Sequence, residues 1–207
     1  MTTVIIDYNS GNLRSAEKSF QLMSEELKLG QVKVSNKPED VVNADRIVLP
    51  GVGAFGSAIK NLDEFNLRDT ILEYAKIRQR PLLGICLGMQ LMGTSSEEDG
   101  LNRGLSFVPV NASKIEVLDL KVPHVGFNQV DFPSDSILYK GLENLSDFYF
   151  THSYKMESDM EINQAMCCYG DDFIASYEQG NIVGTQFHAE LSQTNGLKLF
   201  ENFLEYF

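Results

Sequence analysis

The chain has 207 residues, of which 43% are hydrophobic and 22% charged, a composition that is ordinary for a globular protein with one substantial core. Its formal net charge is −12, from 17 basic and 29 acidic residues, which argues against binding to a nucleic-acid backbone or to an anionic membrane surface. No apolar run approaches the roughly 18 residues of a membrane span, the first residues lack the basic segment of a signal peptide, and three cysteines without framework spacing favour a reducing, cytoplasmic setting.

The first half of the chain alternates short apolar strands with helices. We predict strands at residues 4–7, around Val32 and Val34, at 46–49 and at 81–85. We predict helices at residues 12–23, 54–61 and 67–78, and another that follows Cys86 and ends near Gly93. This alternation predicts a mostly parallel sheet covered on both faces, with functional residues at the carboxyl ends of its strands.

The second half contains strands with little helix between them. We predict strands at residues 107–115, 128–132, 148–156, 173–177 and 181–187, which together indicate an antiparallel extension of the sheet. Residues 194–207 form a closing helix, because four apolar side chains at helical spacing share one face. Since the sequence has no internal repeat and no Pro/Gly-rich linker, we predict one domain over residues 1–207.

Cys86 lies where an apolar run meets the start of a helix, with Gly84 two residues before it and Gly88 two residues after it. A strand that turns sharply into a helix needs such small residues, and the turn lifts the side chain at its apex into a strained, exposed position. The helix also directs backbone N–H groups and its positive dipole end toward the sulfur. Both effects favour the thiolate, so we predict that Cys86 is a nucleophile.

His188 and Glu190 are candidates for the base and its partner. They stand two residues apart at the end of a predicted strand. On extended backbone their side chains lean to the same side, so the carboxylate can orient the imidazole. Together with Cys86 they form a Cys-His-Glu set of nucleophile, general base and orienting acid.

The segment Pro50-Gly51-Val52-Gly53 is the candidate oxyanion hole. Two glycines allow the backbone to turn an N–H toward a substrate carbonyl without a Cβ clash. The N–H of Leu87, directly after the nucleophile, is the second candidate donor.

Two segments carry a resemblance to a known family. Residues 84–90 read Gly-Ile-Cys-Leu-Gly-Met-Gln and residues 184–190 read Gly-Thr-Gln-Phe-His-Ala-Glu, and together they resemble the class I glutamine amidotransferases. A finer resemblance, to the glutaminase subunits of imidazole glycerol phosphate synthases, covers essentially the whole chain and rests on residues 6–13, 49–55, 123–128 and 148–154. It implies a three-layer, flavodoxin-like α/β fold with a mostly parallel central sheet and an antiparallel extension.

The resemblance also implies roles. Cys86 attacks the carboxamide of glutamine to release ammonia, His188 protonates the leaving group and later activates water, and Glu190 holds His188. The resemblance further implies five contacts to glutamine: Gln90, Glu98, His152, Ser153 and Tyr154. The residues alone leave Gln90 open as a polar position on a helix face and Glu97 as a rival of Glu98.

The family resemblance implies a partner. Ammonia passes to a (β/α)₈-barrel synthase subunit that forms a heterodimer with the glutaminase in histidine biosynthesis. It implies no cofactor, no metal, no nucleic acid and no membrane.

Three positions depart from the family pattern. Ala189 replaces a proline between the histidine and the glutamate, Leu191 replaces a lysine at the expected synthase interface, and Phe127 replaces a tryptophan. They support one alternative, a paralogous glutaminase that feeds a related synthase for surface-sugar amidation. Two alternatives of another kind also stay open: a non-catalytic regulatory subunit on the same fold, and a cysteine hydrolase acting on another amide.

Overall fold

The part of the chain that the computed structural model describes, residues 1–11, 13–160 and 162–207, contains thirteen strands and six α-helices. The strands are β1 (Thr2–Ile6), β2 (Gln31–Ser35), β3 (Arg46–Gly51), β4 (Leu82–Cys86), β5 (Ser95–Ser96), β6 (Asn102–Arg103), β7 (Asn111–Lys114), β8 (His124–Val130), β9 (Ser146–His152), β10 (Tyr154–Glu157), β11 (Gln164–Tyr169), β12 (Asp171–Gln179) and β13 (Ile182–Thr185). The helices are α1 (Leu13–Leu27), α2 (Pro38–Asn43), α3 (Phe55–Glu64), α4 (Leu67–Leu72), α5 (Leu87–Leu91) and α6 (Gln193–Tyr206).

The central sheet has two halves. In the order β2-β1-β3-β4-β13 all neighbouring strands are parallel. Beyond β13 the sheet continues through β12, β10, β7, β5 and β6, starting with the antiparallel pairs β13–β12, β12–β10 and β10–β7, and β11 is antiparallel to β12. The predicted mostly parallel sheet with an antiparallel extension is confirmed.

Alternate residues of the parallel strands face two separate cores. Ile47 and Leu49 of β3 belong to one core, together with buried side chains of α3, α4 and α5. Val48, between them, belongs to the other core, which α1 and α6 cover. The rings of Phe20 and Phe200 join these two helices, with centroids 4.2 Å apart. Helices therefore cover both faces, and the fold has the three layers that the alternating pattern predicts.

The second half differs from the prediction in three places. The strand predicted at 107–115 is reduced to β7, because Phe107 and Val108 donate their N–H groups to the Met92 carbonyl and so satisfy the open end of α5. The strand predicted at 148–156 divides at Ser153 into β9 and β10. Strands β8 and β9 pair with each other in a separate two-stranded sheet, and do not extend the central one as predicted.

Other elements differ in their limits. Helix α2 and strands β5, β6 and β11 were not predicted, and the helix predicted at 67–78 is α4 followed by a π-helical turn at Glu73–Ile77. Asn12, where the first helix was predicted to begin, lies outside the described residues. No helix in the described ranges is long and apolar enough to cross a membrane.

Candidate active site

Cys86 occupies the sharp junction between β4 and α5 that its flanking glycines predict. Its φ of 51° and ψ of −108° lie outside the regions that L-residues favour. Helix α5 can start this close to the sheet only because residue 88 is glycine, since a Cβ there would lie 1.7 Å from the Leu49 carbonyl oxygen. The predicted exposure is wrong, because Cys86 is only 7% exposed and faces a cavity.

Strand register brings the other candidates to the same edge of the sheet. Ile85 of β4 pairs with Thr185 of the parallel strand β13, so the chain segments that follow these two residues leave the sheet side by side. On the opposite side of β4, Gly51 pairs with Cys86 itself. The nucleophile candidate therefore lies between the candidate oxyanion segment and the segment that carries His188.

His188 and Glu190 form a buried pair. The Nδ1 atom of His188 lies 2.7 Å from Oε1 of Glu190, and the two side chains are 2% and 3% exposed. The sequence predicts extended backbone between these two residues, but the structure has a 3₁₀ turn over Ala189–Leu191. Ser192 secures the turn by donating its hydroxyl to the His188 carbonyl oxygen at 2.6 Å.

The charge state of His188 depends on this pairing. Burial alone would lower the pKa of His188, but the neighbouring Cys86 sulfur and the Glu190 carboxylate outweigh burial and raise it to about 10. The Nε2 atom of His188 is buried and has no hydrogen-bond partner among the described residues. An imidazolium held beside a thiolate by a buried carboxylate can both activate sulfur and donate a proton.

A cavity of about 240 Å³ opens beside Cys86. All five predicted glutamine contacts line it, as do three of the four oxyanion candidates; Gly51 does not. Sequence reasoning did not select two further lining residues, Pro123 and Thr151. The complete lining is Val52, Gly53, Cys86, Leu87, Gln90, Glu98, Pro123, Thr151, His152, Ser153 and Tyr154.

The structure separates Glu98 from its rival Glu97. Glu98 lines the cavity, and its Oε2 accepts the N–H of Phe55, the first residue of α3, at 2.7 Å. Glu97 instead accepts the N–H of Lys114 in β7 and does not line the cavity. A carboxylate at the cavity wall suits a cationic group of a ligand, and Glu98 is the residue so placed.

His152 forms a neutral pair with His124 behind the cavity wall. Its Nδ1 lies 2.8 Å from the Tyr154 carbonyl oxygen, and its Nε2 lies 3.0 Å from Nδ1 of His124. Because a carbonyl only accepts, Nδ1 of His152 carries the proton, and His124 then donates to Nε2 of His152. Burial lowers the pKa of His152 to about 3 and that of His124 to about 4. The pair thus fixes the Tyr154 carbonyl as neutral imidazoles.

The candidate oxyanion segment directs one of its donors away from the cavity. The N–H of Val52 donates to the Ser10 carbonyl oxygen at 3.0 Å. The hydroxyls of Tyr8 and Ser10 both donate to the Pro50 carbonyl oxygen, at 2.8 and 3.2 Å. In this conformation the segment following β1 engages the Val52 N–H, so it is not available to a carbonyl oxygen at Cys86.

One side chain next to the sulfur was not predicted. Gln186 is fully buried, and its Nε2 lies 3.7 Å from Sγ of Cys86. The signal for it in the sequence is weak, namely an amide that follows directly on the buried strand β13.

Comparisons with known proteins give a consistent answer. The family model for "Glutamine amidotransferase class-I" matches residues 4–206. "Imidazole glycerol phosphate synthase subunit HisH 1" from Campylobacter jejuni (strain RM1221) is 42% identical over 202 residues, which cover 97% of this chain and 98% of that protein. Subunit HisH from Cereibacter sphaeroides is 44% identical over 208 residues, covering 99% and 98%. The crystal structure of a glutamine amidotransferase superposes with a TM-score of 0.73 at 17% identity, covering 98% of this chain and 97% of that one.

Proposed function

Because the chain belongs to the class I glutamine amidotransferase family, we propose that it is the glutamine-hydrolysing subunit of an imidazole glycerol phosphate synthase in histidine biosynthesis. The sequence identity of 42% and 44% to subunits of that synthase, over 97% and 99% of this chain, supports the assignment. We further propose that residues 1–207 act as one domain and work in the cytoplasm.

One observation carries the chemical part of this proposal. A cysteine in a strained strand–helix junction shares a sheet edge with a buried histidine–glutamate pair, and a cavity opens at the cysteine. This combination suits acyl transfer through a thioester.

The reaction then proceeds in two steps. The Cys86 thiolate forms a bond to the carboxamide carbon of glutamine while the C–N bond breaks, and the His188 imidazolium supplies the proton with which ammonia leaves. His188, now neutral, takes a proton from water, whose oxygen attacks the glutamyl thioester. The C–S bond breaks, glutamate leaves and its new carboxyl group loses the second proton of the water to solvent, and the thiolate returns beside a protonated His188. Glu190 keeps the imidazole oriented in both steps.

Glu98 is the group that we propose for the α-ammonium of glutamine. It is a carboxylate at the wall of the same cavity, and its second task, capping α3, fixes its position. Gln90, His152, Ser153 and Tyr154 complete the proposed contacts along the wall.

The direction of the Val52 N–H supports low activity of the subunit alone. An oxyanion hole made of Val52 and Leu87 needs the peptide before Val52 to turn, with loss of the bond to Ser10. We propose that docking of the synthase subunit favours the turned peptide, so that glutamine is hydrolysed when the acceptor enzyme is ready for ammonia.

The surface around the cavity supports a docked partner. Val52 is 39% exposed, and on β8 Val125 and Phe127 are 56% and 49% exposed. Val125 pairs with Thr151 of the cavity wall, so these apolar side chains flank the cavity. Exposed apolar groups clustered at a reaction site indicate a protein interface, which we assign to the (β/α)₈-barrel synthase of the heterodimer.

The activity itself is tested by measuring glutamate and ammonia released from glutamine, with and without the barrel subunit. Cys86→Ala should abolish release, whereas Cys168→Ala, at the exposed cysteine, should leave it unchanged. Equal release from the Cys86→Ala protein would refute the nucleophile assignment and with it the proposed mechanism.

Leu191 is the observation that supports a second candidate partner, a related synthase. It is 38% exposed where the family pattern has a lysine, so this site lacks the cation that a salt bridge to the synthase would need. This favours testing a related synthase of surface-sugar amidation beside the histidine-pathway one. The synthase that copurifies and stimulates glutamine hydrolysis identifies the partner, and unchanged stimulation of Leu191→Lys would show that the lost lysine is not what decides it.

A further inference from the structure

A buried chain of two side-chain amides connects the cavity wall to the candidate nucleophile. Nε2 of Gln90 donates to the Tyr154 carbonyl oxygen at 3.1 Å and to Oε1 of Gln186 at 3.0 Å. Nε2 of Gln186 then lies 3.7 Å from Sγ of Cys86. Gln90 is 6% exposed and Gln186 is fully buried, so water does not compete for these bonds.

The backbone carbonyl at one end fixes the orientation of both amides. A carbonyl oxygen only accepts, so Gln90 must turn its NH₂ group toward Tyr154. Its second N–H then needs an acceptor, which makes Oε1 the atom that Gln186 turns toward Gln90. The NH₂ group of Gln186 consequently faces the Cys86 sulfur. The donor at the sulfur is thus set by the Tyr154 carbonyl, which His152 also holds.

We propose that Gln186 is a further catalytic residue of the glutaminase. Its side-chain N–H donates a hydrogen bond that stabilises the Cys86 thiolate, and this bond forms again when hydrolysis of the thioester regenerates the thiolate. A hydrogen bond to an ionised group is stronger than one to a neutral group, so this donor favours the thiolate over the thiol. Since Gln90 lines the cavity and holds Gln186, a displacement of Gln90 by a ligand also changes the donor at the sulfur. This inference rests on the proposed role of Cys86 as the nucleophile.

Several titratable side chains lie next to Cys86, line its cavity or pair with His188, and they have to be kept constant in a test. They come from the ends of β1, β9 and β13, from β10 and from the loop after β5: Tyr8, Glu98, His152, Tyr154, His188 and Glu190. None of them is altered in the variants below.

The test measures how the rate of Cys86 alkylation by iodoacetamide depends on pH, with modification quantified at each cysteine by peptide mass spectrometry. Gln186→Glu preserves the shape and the acceptor for Gln90 but replaces the donor, and Gln186→Met removes both polar atoms at similar volume. In both variants we expect the pH of half-maximal alkylation to rise by about one unit or more, and kcat to fall about tenfold or more. The exposed Cys168 serves as the internal reference and should not change.

Gln164→Met is the matched control, because Gln164 also directs its Nε2 at a sulfur, that of Met166 at 3.5 Å, outside the cavity. It should leave the alkylation profile and kcat unchanged. An alkylation profile that stays at the wild-type pH in folded Gln186→Glu protein, with KM raised instead, would overturn the inference and make Gln186 a support for Gln90 only. A different outcome would separate the two proposals. If the alkylation profile shifts in the Gln186 variants but the wild-type protein releases no ammonia from glutamine even with the barrel subunit, the proposed function is refuted and this inference stands.

Discussion

Replacing Glu190 by Gln tests whether the buried carboxylate sustains the charge on His188. The change retains the size and the acceptor oxygen at Nδ1, which lies 2.7 Å away, and removes only the negative charge. At an effective dielectric constant of about 20, two charges ~4 Å apart attract each other by ~4 kcal/mol. At 1.36 kcal/mol per pKa unit this corresponds to about three units. The neighbouring Cys86 sulfur still raises the pKa of His188 in the variant, so removing the carboxylate charge lowers this pKa from about 10 by at most that amount.

The sign of the pH dependence follows from this direction. A raised pKa keeps His188 protonated throughout the range below it, so the wild-type imidazolium persists up to about pH 10. In Glu190→Gln the proton is lost at lower pH, so the loss of kcat should grow as the pH rises. We expect the loss to be smaller near pH 7 than near pH 9 and to reach at most ~10³-fold, since ~4 kcal/mol corresponds to three decades of rate.

The assay is glutamate formation by the complex with the barrel subunit and its ligand, at saturating glutamine and at both pH values. Glu201→Gln is the matched control. It removes a carboxylate that lies 2.8 Å from Lys198 at the surface, where an ion pair contributes only about 0–1 kcal/mol. A loss below about fivefold in Glu190→Gln at both pH values, equivalent to ~1 kcal/mol, would refute the assigned role of the carboxylate.

Three further predictions concern stability and substrate binding. Because burial holds His124 and His152 neutral while both bind protons in the unfolded chain below about pH 6.5, the free energy of unfolding in urea should fall by ~3 kcal/mol between pH 6.5 and pH 5.0; a flat profile would contradict the neutral pair. Glu98→Gln should raise KM for glutamine by about tenfold to 100-fold at similar kcat, as loss of a bond to a charged group predicts, whereas Glu97→Gln should leave KM unchanged in the same steady-state assay. Gly88→Ala places a Cβ against the carbonyl oxygen of β3 and should lower stability by more than about 4 kcal/mol, which thermal unfolding or loss of soluble protein would reveal.

Short-range patterns predicted the parallel half of the fold. Apolar runs such as the one before Cys86 have the length of buried strands, and the glycines at 84 and 88 identify the close contact between strand and helix. These signals are local, so the strands and helices up to α5, apart from the short helix α2, could be predicted from them. The strand predicted at 107–115 was not correct in full, because the Met92 carbonyl at the end of α5 takes up N–H groups that a strand would have paired.

The antiparallel half shows where local patterns stop being informative. Residues of β8 and β9 alternate as strands do, but alternation does not say which strand is the neighbour. Seven residue pairs between β8 and β9 build a separate sheet, which supplies Thr151 and His152 to the cavity wall. Their position depends on long-range pairing, which a single sequence does not encode in a readable period.

The sequence by itself determined which groups are available for chemistry: a cysteine between two glycines, a histidine two residues from a glutamate, and the polar residues whose side chains line one cavity. The tertiary structure alone decided how these groups are directed. It turns the Val52 N–H to Ser10, pairs His124 with His152 as neutral imidazoles, and aims the Gln186 amide at the sulfur. The physical reason is that hydrogen-bond direction and pKa depend on which partners burial brings within about 3 Å, and those partners come from strands that are distant in the chain.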